Sequence, residues 1–223
     1  MSEGKQEQIE FELYSYWRSS ASWRIRAALK FKGINHKITP INILKDEQRS
    51  NEYLSKNPSG FLPTLVHNGN ILIQSPALLE YLEEIKPEPA LLPADALGRA
   101  RVRGLAAIIY CDTHPVQNLT VLKKVGALRG KEGVTDTEFA RWVIWTGFTA
   151  YEKALSVGGT VGKYSYGDTL TIADLCLFAQ GYNAERFGVD LTDFPLIRKL
   201  LETLSQEDCI KSTHPSTQID AVQ

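Results

Sequence analysis

The sequence predicts two domains, a mixed α/β domain followed by an all-α domain. Three features lead there. Up to about residue 85, short alternating apolar runs interleave with helical spacings. A proline-rich stretch, KPEPALLPADALG at residues 86–98, then breaks any regular element, and beyond it long helical periodicities follow one another with no convincing strand between them. With 223 residues, 43% of them apolar, the chain exceeds what one small core needs and suits two modest ones.

Within the first part, FELYSY (11–16) alternates as a strand, and Ser20–Phe31 carries Trp23, Ala27 and Phe31 at helical spacing. Lys37–Ile43 reads as a second strand and the polar run Glu47–Lys56 as a second helix, stopped by the turn residues Asn57-Pro58-Ser59-Gly60. Thr64–His67 and Ile71–Ile73 are short strands joined through Asn68-Gly69-Asn70. Asn-Gly tolerates the positive φ angles of a tight hairpin, which makes this pair antiparallel. Ser75–Ile85 completes the order β-α-β-α-β-β-α, a mixed four-stranded sheet covered by helices. The expected boundaries are 9–88 for this domain, 89–97 for the linker and 98–223 for the helical domain. In the latter, Arg99–Ile109, Thr137–Leu155, Ile172–Phe187 and Phe194–Leu204 are periodic, and a loosely held tail is expected from about Ser212.

Composition narrows the function classes. Basic and acidic residues nearly balance, 25 against 26, so there is no sustained attraction to nucleic acid or anionic lipid. The polar opening MSEGKQEQ and the absence of a long apolar run predict no signal peptide and no membrane helix, and hence a cytoplasmic chain. Cys111, Cys176 and Cys209 lack Cys-x-x-Cys spacing, and His36, His67, His114 and His214 lack i, i+4 pairing; thiols without a disulfide framework and no metal are expected. Gly158–Lys163 fails as a phosphate loop, with Val157 where the first glycine belongs and Tyr164 where Ser or Thr should follow the lysine. No G-x-S-x-G elbow is present. Trp142 and Trp145 read as core or interface packing rather than a stacking surface.

Several motifs admit two readings each. Pro63 can open a strand, where no ladder donor is needed, or form a cis Leu62-Pro63 bond that presents the Leu62 backbone to an extended ligand. Ser75, followed by Pro76, can cap its helix, or with Gln74 it can hold a carboxylate at the helix mouth. Ser19-Ser20-Ala21-Ser22 opens the first helix with the same ambiguity, and both helix mouths should lie at one edge of the sheet. Thr171-Ile172-Ala173-Asp174 is a structural capping box.

Taken together, these residues resemble the glutathione transferase superfamily, with its thioredoxin-like N-terminal domain and helical C-terminal domain, and most closely its zeta class, the maleylacetoacetate isomerases. The resemblance spans about Glu12 to His214. It rests chiefly on Ser19-Ser20-Ala21-Ser22-Trp23-Arg24-Ile25-Arg26, against S-S-C-S-W-R-[VI]-R in the class, and further on Asn57-Pro58, Leu62-Pro63-Thr64-Leu65, Gln74-Ser75, Gln117-Asn118-Leu119 and Asn183-Ala184-Glu185-Arg186-Phe187.

The resemblance implies a glutathione cofactor and a homodimer. Ser20, supported by Ser19, would hydrogen-bond the glutathione sulfur and favour its thiolate. Leu62, at the turn with Pro63, would pair with the peptide backbone, and Gln74 and Ser75 would take the γ-glutamyl carboxylate. Ala21, Gln48, His114, Asn118, Leu119 and Thr120 would complete the glutathione contacts. The substrate would be an anionic diketo acid, with Arg186 as the cation for its carboxylate and Arg18 and Arg24 as further candidates. Addition of the thiolate to the cis double bond, rotation and release would turn maleylacetoacetate into fumarylacetoacetate in tyrosine and phenylalanine breakdown. Two positions depart from the class: Ala21 replaces its usual cysteine, and His114 stands where relatives often carry glutamine before Pro115. A general glutathione transferase that consumes glutathione, and a binding domain without turnover, are the alternative expectations.

Overall fold

The computed structural model describes residues 11–131, 135–157 and 159–221. Residues 9 and 10, where the first domain is expected to begin, and Gly158 of the rejected phosphate loop lie outside them. The backbone forms two compact units. The first runs to Glu88 and takes back the segment from Ser212, and the second is Pro89–Lys211.

In the first unit β1 (Phe11–Ser15) is central, with Phe11, Leu13 and Ser15 buried on one face. β2 (Lys37–Pro40) pairs with it in parallel, and β3 (Thr64–His67) pairs antiparallel on its other side and carries β4 (Asn70–Ile73) at the edge. Asn68 and Gly69 take φ values of 49° and 78°, as the two-residue hairpin requires. α1 (Ser20–Phe31) is buried along nearly its whole length, including Trp23, Arg24 and Arg26, and packs against α3 (Ser75–Ile85). The expected helix over 47–56 is not continuous. Two single 3₁₀ turns, Ile43–Lys45 and Glu47–Arg49, lead into the four-residue α2 (Asn51–Leu54). Asn42 Oδ1 accepts from Leu44 N–H and Ser50 Oγ from Tyr53 N–H, so side chains compete for the backbone donors a longer helix would need.

The segment from Ser212 is not loose, and it belongs with the first unit rather than with the helical one. Trp23 Nε1 donates to Thr213 Oγ1 at 3.0 Å, Pro215 is buried, and Trp17 N–H donates to Asp220 Oδ2 at 2.9 Å.

The second unit is helical, with an isolated bridge between Val161 and Gly167 as its sole β pairing among the described residues. α4 (Ala96–Ala107) starts at Asp95, whose Oδ1 accepts from Gly98 N–H, and loosens into a π-helical segment, Ile108–Thr113. α5 (Leu119–Leu128), unforeseen in the sequence, follows the Asn118 cap. α6 (Thr137–Ser156) starts at Asp136, α7 (Ile172–Arg186) carries the expected Thr171–Asp174 capping box and is the buried centre, and α8 (Pro195–Leu204) has its first N–H groups held by Glu152. α9 (Asp208–Lys211) ends the unit. Trp142 and Trp145 are not core residues: they are 60% and 45% exposed and line an open groove with Arg141 and Val189.

Gly147 of α6 lies so close to the π-helical segment that a Cβ on it would stand 2.0 Å from Thr113 Oγ1. Gly147→Ala is expected to lower the free energy of unfolding by about 1–3 kcal/mol, the usual cost of overpacking. Thr113→Ala in the same chain should return part of that loss in urea denaturation. Purely additive effects of the two substitutions would contradict the contact.

Candidate active site

The strand register gathers four connections at one end of the sheet. Ser15 at the end of β1 faces Pro40 at the end of β2, Tyr14 faces Thr64 at the start of β3, and Thr64 faces Ile73 at the end of β4. The loop to Ser19 and Ser20, the turn carrying Gln48, the Leu62-Pro63 turn and the Gln74-Ser75 entry to α3 therefore emerge together.

Ser19 is the N-cap of α1, and its Oγ accepts from Ser22 N–H at 3.2 Å. Ser20 and Ala21 are the first helical residues and are buried, at 4% and 7% exposure. Capping thus accounts for Ser19, while Ser20 sits in the first turn, where the helix dipole favours negative charge. The loop before them is held from within by Arg26. Its Nη1 donates to Ser15 Oγ at 2.9 Å and to Tyr16 O at 3.3 Å, and its Nη2 donates to Trp17 O at 3.0 Å. Burial pushes the Arg26 guanidinium down to about 10, and Asp220 opposes that shift, so it stays charged at neutral pH.

The Leu62-Pro63 peptide is cis. Its turn is fixed from behind by a buried polar cluster. Asn57 Nδ2 donates to Phe61 O at 2.8 Å and to Thr64 Oγ1 at 3.1 Å, and the Tyr53 hydroxyl donates to Phe61 O at 2.7 Å and shares a 2.8 Å bond with Thr64 Oγ1. Burial raises the Tyr53 phenol above its usual range, which keeps it a donor. Leu62 itself makes no hydrogen bond, through N–H or C=O, to any described residue. Gln48 lies beside this turn: a Cβ on Gly60 would come within 3.1 Å of its carbonyl oxygen. The Gln48 amide donates to Asp46 Oδ1 at 3.2 Å.

At α3 the structure corrects the cap. Gln74, not Ser75, is the N-cap, exposed and held at φ 74°, and its side chain makes no capping bond. A non-glycine residue in this region of φ carries backbone strain, which persists where the surroundings impose it and clusters at ligand sites. Ser75, buried at 7% exposure, has its Oγ 3.5 Å from Arg24 Nη1. Arg24 is itself 1% exposed, so this candidate substrate cation lies inside the unit, where it links α1 to the mouth of α3. Arg18, half-buried, stacks its guanidinium 5.2 Å from the Trp17 ring.

Residues 9–84 match the family model of the glutathione S-transferase N-terminal domain, and residues 129–212 that of the C-terminal domain. The maleylacetoacetate isomerase of Mus musculus is 44% identical over 210 residues, 93% of this chain and 94% of that protein. The chain belongs to the glutathione S-transferase family. Among solved structures it is similar to a holo maleyl pyruvate isomerase described as a bacterial glutathione S-transferase in the zeta class. That match has 41% identity and a TM-score of 0.91, and covers 95% of this chain and 100% of the other. It is also similar to the maleylacetoacetate isomerase of Methylobacterium extorquens AM1 with bound malonate and GSH, at 33% identity and a TM-score of 0.90, covering 95% and 100%.

The remaining site candidates of this transferase lie in the second unit. Asn118 is the N-cap of α5, its Oδ1 accepting from Thr120 N–H at 3.1 Å, and Leu119 is the first residue of that helix. His114 follows the π-helical segment, half-buried, its N–H bonded to Ile109 O at 2.8 Å. Arg186 closes α7, exposed, with its guanidinium 5.1 Å from the Phe187 ring. Sequence reasoning passed over Tyr53 and Arg26 as parts of the site. The available signal was an arginine within the apolar face of α1, which a helix buries only where acceptors await it.

The donors of this glutathione S-transferase fit its cofactor. The unpaired Leu62 backbone suits an extended peptide, and the mouth of α3 suits a carboxylate. Asn57→Ala removes two bonds that hold the Phe61–Thr64 turn and leaves the Tyr53 hydroxyl as the remaining side-chain partner of Phe61 O and Thr64 Oγ1. It should cost about 1–3 kcal/mol of stability and weaken glutathione binding in calorimetry; unchanged affinity would show that the turn does not depend on Asn57.

Proposed function

We propose that the chain is a glutathione-dependent cis-trans isomerase of maleyl keto acids, converting maleylacetoacetate to fumarylacetoacetate. The observation that carries the proposal is the convergence of Ser20, the unpaired Leu62 backbone and the strained Gln74 at one end of the sheet, in a chain 44% identical to a maleylacetoacetate isomerase. The likeness to a maleyl pyruvate isomerase favours maleylpyruvate as a second substrate of the same chemistry, a cis enedioate-type acid bearing a keto group.

When bound, glutathione supplies a thiolate that adds reversibly to the cis double bond and lets the resulting single bond rotate. The chain's own residues set up that chemistry. The Ser20 hydroxyl donates to the sulfur and, with the positive end of α1 behind it, holds it deprotonated. Leu62 N–H and C=O pair with the glutathione backbone, while Gln74, Ser75 and the α3 N-terminus hold the γ-glutamyl carboxylate. Arg24 is assigned to bracing Ser75 and only secondarily to the substrate. Roles for Ala21, Gln48, His114, Asn118, Leu119 and Thr120 toward glutathione, and for Arg186 and Arg18 toward a substrate carboxylate, rest on the family resemblance. So do the homodimer, the cytoplasmic location and the place in tyrosine and phenylalanine breakdown.

Because the Ser20 bond matters most to the charged sulfur, Ser20→Ala should lower turnover roughly ten- to hundredfold, the worth of a hydrogen bond to a charged group. The dissociation constant of glutathione should change little by comparison, and equal loss in both would remove the role. Proton NMR of maleylacetone with enzyme and a trace of glutathione tests the reaction itself. The olefin should pass from cis to trans over many turnovers with glutathione unchanged, whereas consumption of glutathione as an adduct would replace the isomerase by a conjugating transferase.

A further inference from the structure

The segment from Ser212 crosses the first unit to the loop that carries the serine pair. It is seated by Trp23, whose indole donates to Thr213 Oγ1 at 3.0 Å and meets the His214 ring edge-on at 5.2 Å, and by the turn Pro215–Thr217 with Pro215 buried. It ends on Asp220, half-buried, whose Oδ2 accepts from Trp17 N–H at 2.9 Å. On the other side of the same residue, Trp17 O accepts from Arg26 Nη2 at 3.0 Å. The backbone of Trp17 is thus gripped through its donor by an anion and through its acceptor by a cation, in the loop that places Ser19 N–H on Tyr16 O at 2.9 Å and so starts α1 at Ser20.

We infer that Asp220 is a positioning residue for catalysis: through Trp17 it locks the β1–α1 loop and thereby aims the Ser20 hydroxyl at the sulfur of bound glutathione. The inference rests on the reading that Ser20 holds that sulfur. Arg26 alone grips the loop from one side, by its carbonyls, and leaves the Trp17 N–H without its anchor. Charge matters as well as shape, because Asp220 and Arg26 attract one another across the loop, while burial and the Arg26 charge hold the nearby His36 imidazole below its ordinary range. Loss of Asp220 should act on the chemistry more than on binding, since the residues assigned to binding, Leu62 and Gln74-Ser75, lie on other connections of the sheet.

The test uses the full chain as wild type, Asp220→Ala and Asp220→Glu. The thiolate absorbance of bound glutathione is titrated against pH, kcat and KM are measured with maleylacetone, and affinity is measured with S-methylglutathione, which has no thiol to ionise. Asp220→Ala should raise the apparent thiol pKa by about one unit and lower kcat near pH 7 about tenfold. Affinity for S-methylglutathione should stay within about twofold of wild type, and Asp220→Glu should recover part of kcat. Backbone amide exchange in Asp220→Ala should speed up at Trp17–Ser20 and in the segment around Asp220, and not in the rest of the first unit. An unchanged thiol pKa and kcat, or a loss of protection spread evenly over the unit, would overturn the inference and leave Asp220 a structural contact. If wild-type protein failed to lower the thiol pKa at all, or Ser20→Ala left it untouched, the reading of Ser20 and the inference would fall together.

Discussion

The first unit depends on a guanidinium inside it. Arg26 is fully buried on α1, and a charge so placed is expensive unless its donors are met. Ser15 Oγ, Tyr16 O and Trp17 O meet those on its two terminal nitrogens, and in doing so they give the β1–α1 loop one shape. That shape fixes where α1 begins, hence that Ser19 caps and Ser20 opens the first turn. The same helix buries Arg24 against Ser75, so the mouths of α1 and α3 are tied by one element.

Topology does the rest. With β2 parallel to β1 and β3 antiparallel to it, the ends of β1, β2 and β4 and the start of β3 share one end of the sheet. Four connections meet there, and the work divides among them. In the proposed reading, a backbone edge at Leu62 and a helix mouth at Gln74-Ser75 would recognise a peptide with a carboxylate, while the α1 mouth would offer a hydroxyl and a positive dipole to a sulfur. Each is stiffened from behind by buried polar side chains, Asn57 and Tyr53 under the Leu62-Pro63 turn and Arg26 under the serine loop. Rigid support of this kind is what holds a reacting group in place.

Much of this is legible in the sequence. α1, β3 and α3 fall at the residues where local chemistry and apolar period agree: a serine before the helix, Asn-Gly in the hairpin, proline in the first turn of α3. The readings that missed did so where tertiary context outweighs the local signal. Residues 47–56 have helical composition, yet Asn42 and Ser50 capture the backbone donors. Ser75 looks like a cap, but Gln74 takes that place with a positive φ that no propensity anticipates. The segment from Ser212 is polar and short of periodicity, and its anchorage depends on Trp23 and Trp17, nearly two hundred residues earlier. Of the two readings of Trp142 and Trp145, core or interface packing, their exposure removes the core. For the site, the serine pair, Leu62-Pro63 and Gln74-Ser75 are visible as motifs; of the supports beneath them only Arg26 leaves a trace, as an arginine within an apolar helix face, whereas Tyr53 and Asp220 appear only once the chain is folded.

The central claim is that these connections hold one glutathione molecule on the first unit. A crystal structure of the protein with glutathione tests it most directly. The account predicts paired hydrogen bonds from the tripeptide backbone to Leu62 N–H and C=O, the γ-glutamyl carboxylate at Gln74 and Ser75, and the sulfur within hydrogen-bonding distance of Ser20 Oγ. A glutathione bound elsewhere, or one whose sulfur points away from the mouth of α1, would contradict it.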